Sequence, residues 1–111
     1  MKNAIKYYYN LDAENIHQNK KNYRFTVQEI TYLLNNCTRT YREINEIYNL
    51  QIYLKTIGFY THEIILNNKK NIITNINGIP YILLKIQITN RKININDIIA
   101  ISNVPINIIN Y

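Results

Sequence analysis

The sequence predicts an α+β fold, a mostly antiparallel sheet of five or six strands with one long helix packed on one face. Three observations lead to this prediction. Several short segments alternate apolar and polar residues, which is typical of half-buried strands. Between them lies one long segment whose apolar residues have helical spacing. The dipeptide Asn77-Gly78 then marks a tight hairpin. The length of 111 residues fits one domain.

The first third of the chain predicts a short helix followed by a meander of strands. Helical spacing of Ala4, Ile5, Tyr8 and Tyr9 indicates a helix at residues 2–10. We expect two or three short antiparallel strands to follow it, at residues 22–28 and 30–35 and, with a weaker pattern, at residues 15–19.

The clearest helix is predicted at residues 38–57. Thr40 and Glu43 have the spacing of a capping box, in which each side chain accepts a hydrogen bond from the backbone amide of the other residue. Gly58 follows the segment, where a helix end favours a residue that tolerates positive φ. One apolar stripe is expected to face the sheet, formed by Ile44, Ile47, Tyr48, Leu50, Leu54 and Ile57.

The second half of the chain predicts three more strands and a last short helix. Residues 60–66 alternate with a period of two, and residues 71–76 form a short strand before the Asn77-Gly78 turn. Residues 79–88 are almost continuously apolar, which is typical of a central strand that is covered on both faces. A short helix is expected at residues 97–104, ended by Pro105.

The composition excludes several classes of protein. Half of the chain is made of 24 Ile, 20 Asn and 11 Tyr, and genome drift toward A/T-rich codons is the simplest account of that bias. One cysteine excludes an internal disulfide and a structural zinc cage, and two isolated glycines exclude a phosphate loop. No apolar stretch approaches the roughly 20 residues that span a bilayer. The N-terminus has no secretion signal, so we expect a cytoplasmic protein without membrane contact.

Few side chains offer catalytic or metal-binding chemistry. We interpret His62 and Cys37 as packed residues, because no partner lies at metal-ligand spacing and no neighbouring base would activate the thiol. Glu43 and Glu46 each follow an arginine by four residues, which indicates surface ion pairs on the helix. The sequence therefore predicts no cofactor and no metal site, and it marks out no pair of carboxylates for acid–base catalysis, although it does not exclude such catalysis.

Nucleic-acid binding is an alternative that the charge suggests. The formal net charge is +6, but the basic residues occur as scattered pairs rather than as a run. Tyr23, Tyr32 and Tyr81 lie in predicted strands, where they would be available to stack on bases above a positive surface. Their alternation with polar residues fits inward packing equally well.

Several short motifs between residues 31 and 86 suggest a family. In chain order they are Thr31-Tyr32-Leu33-Leu34, Tyr41-Arg42-Glu43-Ile44, Tyr53-Leu54, Ile57-Gly58-Phe59 and Asn77-Gly78-Ile79-Pro80-Tyr81-Ile82-Leu83-Leu84. This order resembles the small lobe of aminoglycoside-phosphotransferase-like, or protein-kinase-like, proteins. The likeness is to spore-coat-associated members of the YutH and CotS type in particular, and it covers most of residues 5–90.

The departures from this family concern its nucleotide-binding positions. The resemblance implies a glycine-rich turn over the phosphates, but residues 18–22 contain no glycine. It also implies a lysine in the third strand, where this chain has Asn35 near the strand's end. Glu43 or Glu46 would be the helix glutamate that pairs with the missing lysine. The resemblance thus implies a lobe that does not bind nucleotide, or the N-terminal fragment of a phosphotransferase.

Two segments and one function follow from this interpretation. Residues 1–90 are expected to form the kinase-like small-lobe domain, and residues 91–111 a linker and short C-terminal helix, where the resemblance implies the start of a missing large lobe. We expect a non-catalytic domain that acts in protein interaction, through a protein partner or self-association, with the spore coat as the setting that the resemblance implies. The predicted interaction surface is formed by Tyr81, Leu83 and Lys85 of the central strand.

Overall fold

The computed structural model describes residues 1–59 and 62–86, and the α+β prediction is confirmed there. The predicted helix at residues 97–104, the end of the predicted strand at residue 88 and the segment 91–111 lie outside these ranges. The elements in chain order are α1 (Lys2–Tyr9), β1 (Glu14–Asn19), β2 (Asn22–Val27), β3 (Ile30–Asn36), α2 (Tyr41–Thr56), β4 (Glu63–Ile65), β5 (Thr74–Ile76) and β6 (Ile79–Lys85).

The six strands form one antiparallel sheet in which β6 is central. The order is β1-β2-β3-β6-β4, and β5 also pairs with β6. One edge of β6 pairs with β3, while the other is shared by β4 and β5. A tight turn joins β5 to β6, with φ of 53° at Asn77 and 81° at Gly78, as the predicted hairpin requires. A central strand was predicted at residues 79–88, and β6 confirms it for residues 79–85.

Helix α1 closes one face of the sheet. Its Ile5 and Tyr9 pack against alternate residues of the strands, including Phe25, Leu34 and Leu83, all of which are fully buried. Burial of each such large side chain stabilises the fold by about 1.5–3 kcal/mol. The sequence predicted α1 as a helix but did not say which strands it would cover.

A hydrogen-bonded polar network lies inside this core. The hydroxyl oxygens of Tyr9 and Thr74 are 2.7 Å apart, and the Asn67 side-chain amide donates to the Thr74 hydroxyl at 3.0 Å. The Asn67 side-chain oxygen accepts hydrogen bonds from the backbone amides of Lys69 (2.9 Å) and Asn71 (3.1 Å). Burial raises the pKa of the Tyr9 hydroxyl, and the Thr74 hydrogen bond partly offsets that rise.

The same loop also ends α1. The backbone amide of Asn68 donates to the Tyr8 carbonyl at 2.7 Å, and its side-chain amide donates to the Tyr7 carbonyl at 2.9 Å. Two of the last helical carbonyls are thereby satisfied. Because Asn67 holds residues 67–71 in a closed loop, β5 begins at Thr74 rather than at residue 71 as predicted.

Helix α2 lies on the opposite face of the sheet. Its Ile44, Ile47 and Tyr48 pack with Ile82 and Leu84, which alternate along β6 with the residues that face α1. The helix starts at Tyr41 rather than at residue 38, because Thr40 adopts extended backbone as its N-cap. The predicted capping box is present, and Gly58 follows the helix end with φ of 89°.

We expect Thr40→Ala to destabilise the protein by about 1 kcal/mol, because it removes the cap of α2. Hydrogen bonds from Thr40 are the main cause of the lowered pKa of Glu43. The charge-dependent part of this stabilisation is therefore present above the ordinary pKa of 4.5 and is lost as the pH falls through the lowered value. Thermal unfolding at several pH values measures both effects, with Thr38→Ala as the matched control. An equal cost at all pH values would contradict the pH dependence.

Thr74→Val is expected to destabilise the fold by about 2–4 kcal/mol, because it leaves two buried groups, on Tyr9 and Asn67, without their partner. Chemical denaturation measures the change. Thr31→Val in β3 is the control, and its effect should stay within about 0.5 kcal/mol. A double variant that adds Tyr9→Phe should cost less than the sum of the single variants, and simple additivity would mean that the network is not coupled.

Candidate functional site

An apolar groove lies between α2 and the part of the sheet that this helix leaves half covered. Its volume is about 470 Å³. We call it the α2 groove, and its main apolar lining residues are Ile47, Leu50, Leu54, Ile64, Ile82 and Leu84.

The groove is open because the packing of α2 weakens toward its C-terminal end. Ile44 in the first turn is only 3% exposed. Leu50 and Leu54 are half-buried, and Ile52 and Ile57 are 47% and 44% exposed. On the face of the sheet under α2, apolar side chains therefore stay in contact with solvent along the last turns of this helix.

Polar groups mark one end of the groove. Asn35, Cys37 and Arg39 line it where β3 leads into α2. Cys37 is buried, its backbone amide donates to the Pro80 carbonyl at 2.8 Å, and its thiol lies 3.5 Å from the Arg39 carbonyl oxygen. These contacts agree with the interpretation of Cys37 as a packed residue.

Gln51 forms the wall at the other side of the groove. Its side-chain amide donates to the His62 carbonyl at 2.6 Å, and its side-chain oxygen accepts from the Ile64 amide at 3.0 Å. The contacts attach α2 to the backbone of β4 and of the residue that precedes it. A second depression of about 400 Å³ shares Gln51 and Ile64 with the groove and is also lined by Tyr48 and Ile52.

The three predicted kinase-like positions have different surroundings. Asn35 is half-buried and lines the α2 groove. Glu43 is engaged in the N-cap of α2 and lies 3.7 Å from the Arg39 guanidinium. Glu46 lies 3.6 Å from the Arg42 guanidinium, so the predicted surface ion pairs are present. The two glutamates thus have local structural partners.

The predicted interaction residues lie mostly on the other face of β6. Tyr81 is 2% exposed and Leu83 is fully buried in the core under α1, while Lys85 is half-buried. Their role in interaction stays a prediction. The groove instead exposes their neighbours Ile82 and Leu84, which belong to the same apolar run of the sequence.

The strand tyrosines pack inward. Tyr32 and Tyr81 are buried, and the half-buried ring of Tyr23 lies 6.2 Å from that of Tyr81 between ring centroids. Tyr32 and Tyr81 are therefore not presented to solvent as a surface for base stacking, whereas Tyr23 is partly accessible. Arg24 is exposed and lines a polar depression of about 350 Å³ on the β1–β3 part of the sheet.

Residues 1–59 and 62–86 contain no cluster of three or more histidine, cysteine or carboxylate side chains that could hold a metal ion. In the same ranges, none of the helices has the length and apolar character needed to cross a membrane. Searches of protein-family models, curated proteins and solved structures each found no match to this chain.

We expect Gln51→Met to loosen β4, because it leaves the Ile64 amide and the His62 carbonyl without the side-chain partner. The loss should destabilise the protein by about 1–2 kcal/mol and speed hydrogen exchange at the Ile64 amide. Exchange measured by NMR checks this. Gln51→Glu is the matched variant, since it keeps an acceptor for Ile64. An unchanged Ile64 exchange rate in Gln51→Met would contradict the role given to Gln51.

Proposed function

We propose that this chain is a non-catalytic, kinase-like domain that acts in protein interaction by holding a polypeptide segment in the α2 groove. The observation that carries the proposal is the half-covered second face of the sheet, where Leu50, Leu54 and Leu84 line an apolar cleft beside a helix. Such clefts between a helix and its neighbours bind apolar faces of other polypeptides through shape and buried area.

The order of elements supports the kinase-like part of the proposal. A three-stranded meander precedes α2, and a strand, a hairpin and the segment Tyr81-Ile82-Leu83-Leu84 follow it. This is the order that the resemblance implies. The chain also places α2 directly after the third strand, with Cys37–Thr40 as the connection.

The nucleotide-binding positions support the non-catalytic part. The β1–β2 turn has Lys20 in the left-handed region, with φ of 57°, in place of a flexible glycine-rich loop. Asn35 cannot supply the positive charge that a strand lysine gives to nucleotide phosphates. Glu43 is occupied by the helix cap. The domain is therefore proposed to lack the ion pair on which the family's phosphate binding depends.

The setting of this function follows from the resemblance alone. Spore-coat-associated members imply a role in coat assembly after synthesis in the cytoplasm. An apolar groove suits such assembly, because burial of apolar surface is the main favourable term in most protein association.

The alternative function is a basic nucleic-acid-binding module. Exposed Lys20, Lys21 and Arg24 around the β1–β2 turn favour it, whereas inward packing of Tyr32 and Tyr81 does not. Phosphate contacts weaken steeply with salt, and apolar polypeptide contacts do not. Titration with single-stranded oligonucleotides at low and moderate salt separates the two functions.

We expect isothermal titration calorimetry to detect no magnesium-dependent ATP binding to the full chain, because the phosphate-holding residues are missing. Titration of ATP with and without magnesium is the measurement, and an active aminoglycoside phosphotransferase serves as the positive control. A micromolar dissociation constant that depends on magnesium would overturn the non-catalytic proposal.

A further inference from the structure

Strand β6 brings the chain to the rim of the α2 groove. Ile82 and Leu84 line the groove, and Ile86 follows them with the same alternation. The Ile86 amide donates to the Thr31 carbonyl at 2.9 Å, so the backbone continues along β3 up to this residue. The chain after residue 86 therefore starts close to the groove, because Leu84, which lines it, lies only two residues before Ile86.

The composition of the following segment matches the groove. Residues 93–109 contain eight isoleucines, one valine and a single charged residue, Asp97. Burial of apolar surface of this kind contributes a favourable free energy of about 25 cal/mol per Å². Arg39, whose guanidinium also lies 3.7 Å from the Glu43 carboxylate, is the charged side chain among the groove's lining residues, and its sign is opposite to that of Asp97.

The connection is long enough for the segment to reach the groove of its own chain. Six residues, 87–92, separate Ile86 from residue 93, and in extended form they span roughly 20 Å. A short connection of this kind gives the segment an effective concentration in the millimolar range at the groove. A second copy of the chain would have to reach that concentration in solution to compete.

We infer that residues 93–109 bind in the α2 groove of the same chain, over Leu50, Leu54 and Leu84. This inference rests on the proposed function, since it names the polypeptide segment that the groove holds. The segment completes the apolar layer that α2 leaves half covered. Any other polypeptide has to displace it before binding there.

Photocrosslinking of the full chain tests the position of the segment. The photoreactive residue p-benzoylphenylalanine replaces Leu50 inside the groove or, as the matched control, Asn49 on the exposed side of the same helical turn. After irradiation, mass spectrometry of the monomer band should find crosslinks from position 50 to peptides within residues 93–109. Position 49 should give none of them.

Each other result has a defined meaning. Crosslinks from position 50 to residues 93–109 only in a dimer band would overturn binding within one chain, while leaving the groove a polypeptide-binding site. If neither the monomer band nor the dimer band contains crosslinks to residues 93–109, the inference is overturned. Magnesium-dependent ATP binding would contradict the proposed function whatever the crosslinks show, so the two failures are distinguishable.

Hydrogen exchange of the full chain gives a second test that needs no new side-chain chemistry. Leu54→Asp places a charge in the groove, and Asn49→Asp places the same charge on the exposed side. Amides of residues 93–109 should exchange at least about tenfold faster in Leu54→Asp than in Asn49→Asp, because burying an unpaired charge is costly. Slow exchange at Ile82 and Leu84 in both variants verifies that the sheet is intact. Equal exchange of residues 93–109 in the two variants would overturn the inference.

Discussion

The hydrogen bond between the buried hydroxyls of Tyr9 and Thr74 is the constraint on which the arrangement of this domain depends. Neither group can stay unpaired in the core without a cost, and Asn67 completes the pairing of Thr74. The bond joins the end of α1 to the start of β5, and Asn67 and Asn68 hold the adjoining loop against the end of the helix. With α1 fixed on one face, α2 is the described helix that remains to cover the other.

The two faces of the sheet therefore differ in how completely they are covered. Under α1, the strands contribute large buried side chains such as Phe25 and Leu34. Under α2, Ile44 is the buried side chain of the helix, and burial of the helix side chains declines toward its C-terminal end. Because β6 contributes alternate residues to both faces, one strand carries the closed core and the open groove. Function is proposed for the face where packing is incomplete, which is where a polypeptide gains most from binding.

Local signals in the sequence predicted the elements well. The capping box at Thr40 and the Asn77-Gly78 turn act over a few residues, and both are present as expected. The Tyr9–Thr74 bond joins residues 65 positions apart, and hydrophobic periodicity does not predict such a pairing. The groove was only half predictable. Leu50 and Leu54 were expected on the apolar stripe, but how far α2 would cover the sheet depends on tertiary packing that the stripe does not encode.

The central position of β6 also has a consequence for how the chain acquires its fold during synthesis. The β1–β3 meander and α2 are synthesised before β6, and the open edge of β3 pairs with β6 in the finished sheet. Long-range pairing of this kind folds slowly, because a long loop must close before any contact rewards it. Until then the nascent chain carries an unpaired strand edge, which is a template for pairing with other chains. Pairing of β6 with β3 thus completes the sheet and also covers the strand edge through which the polypeptide could aggregate.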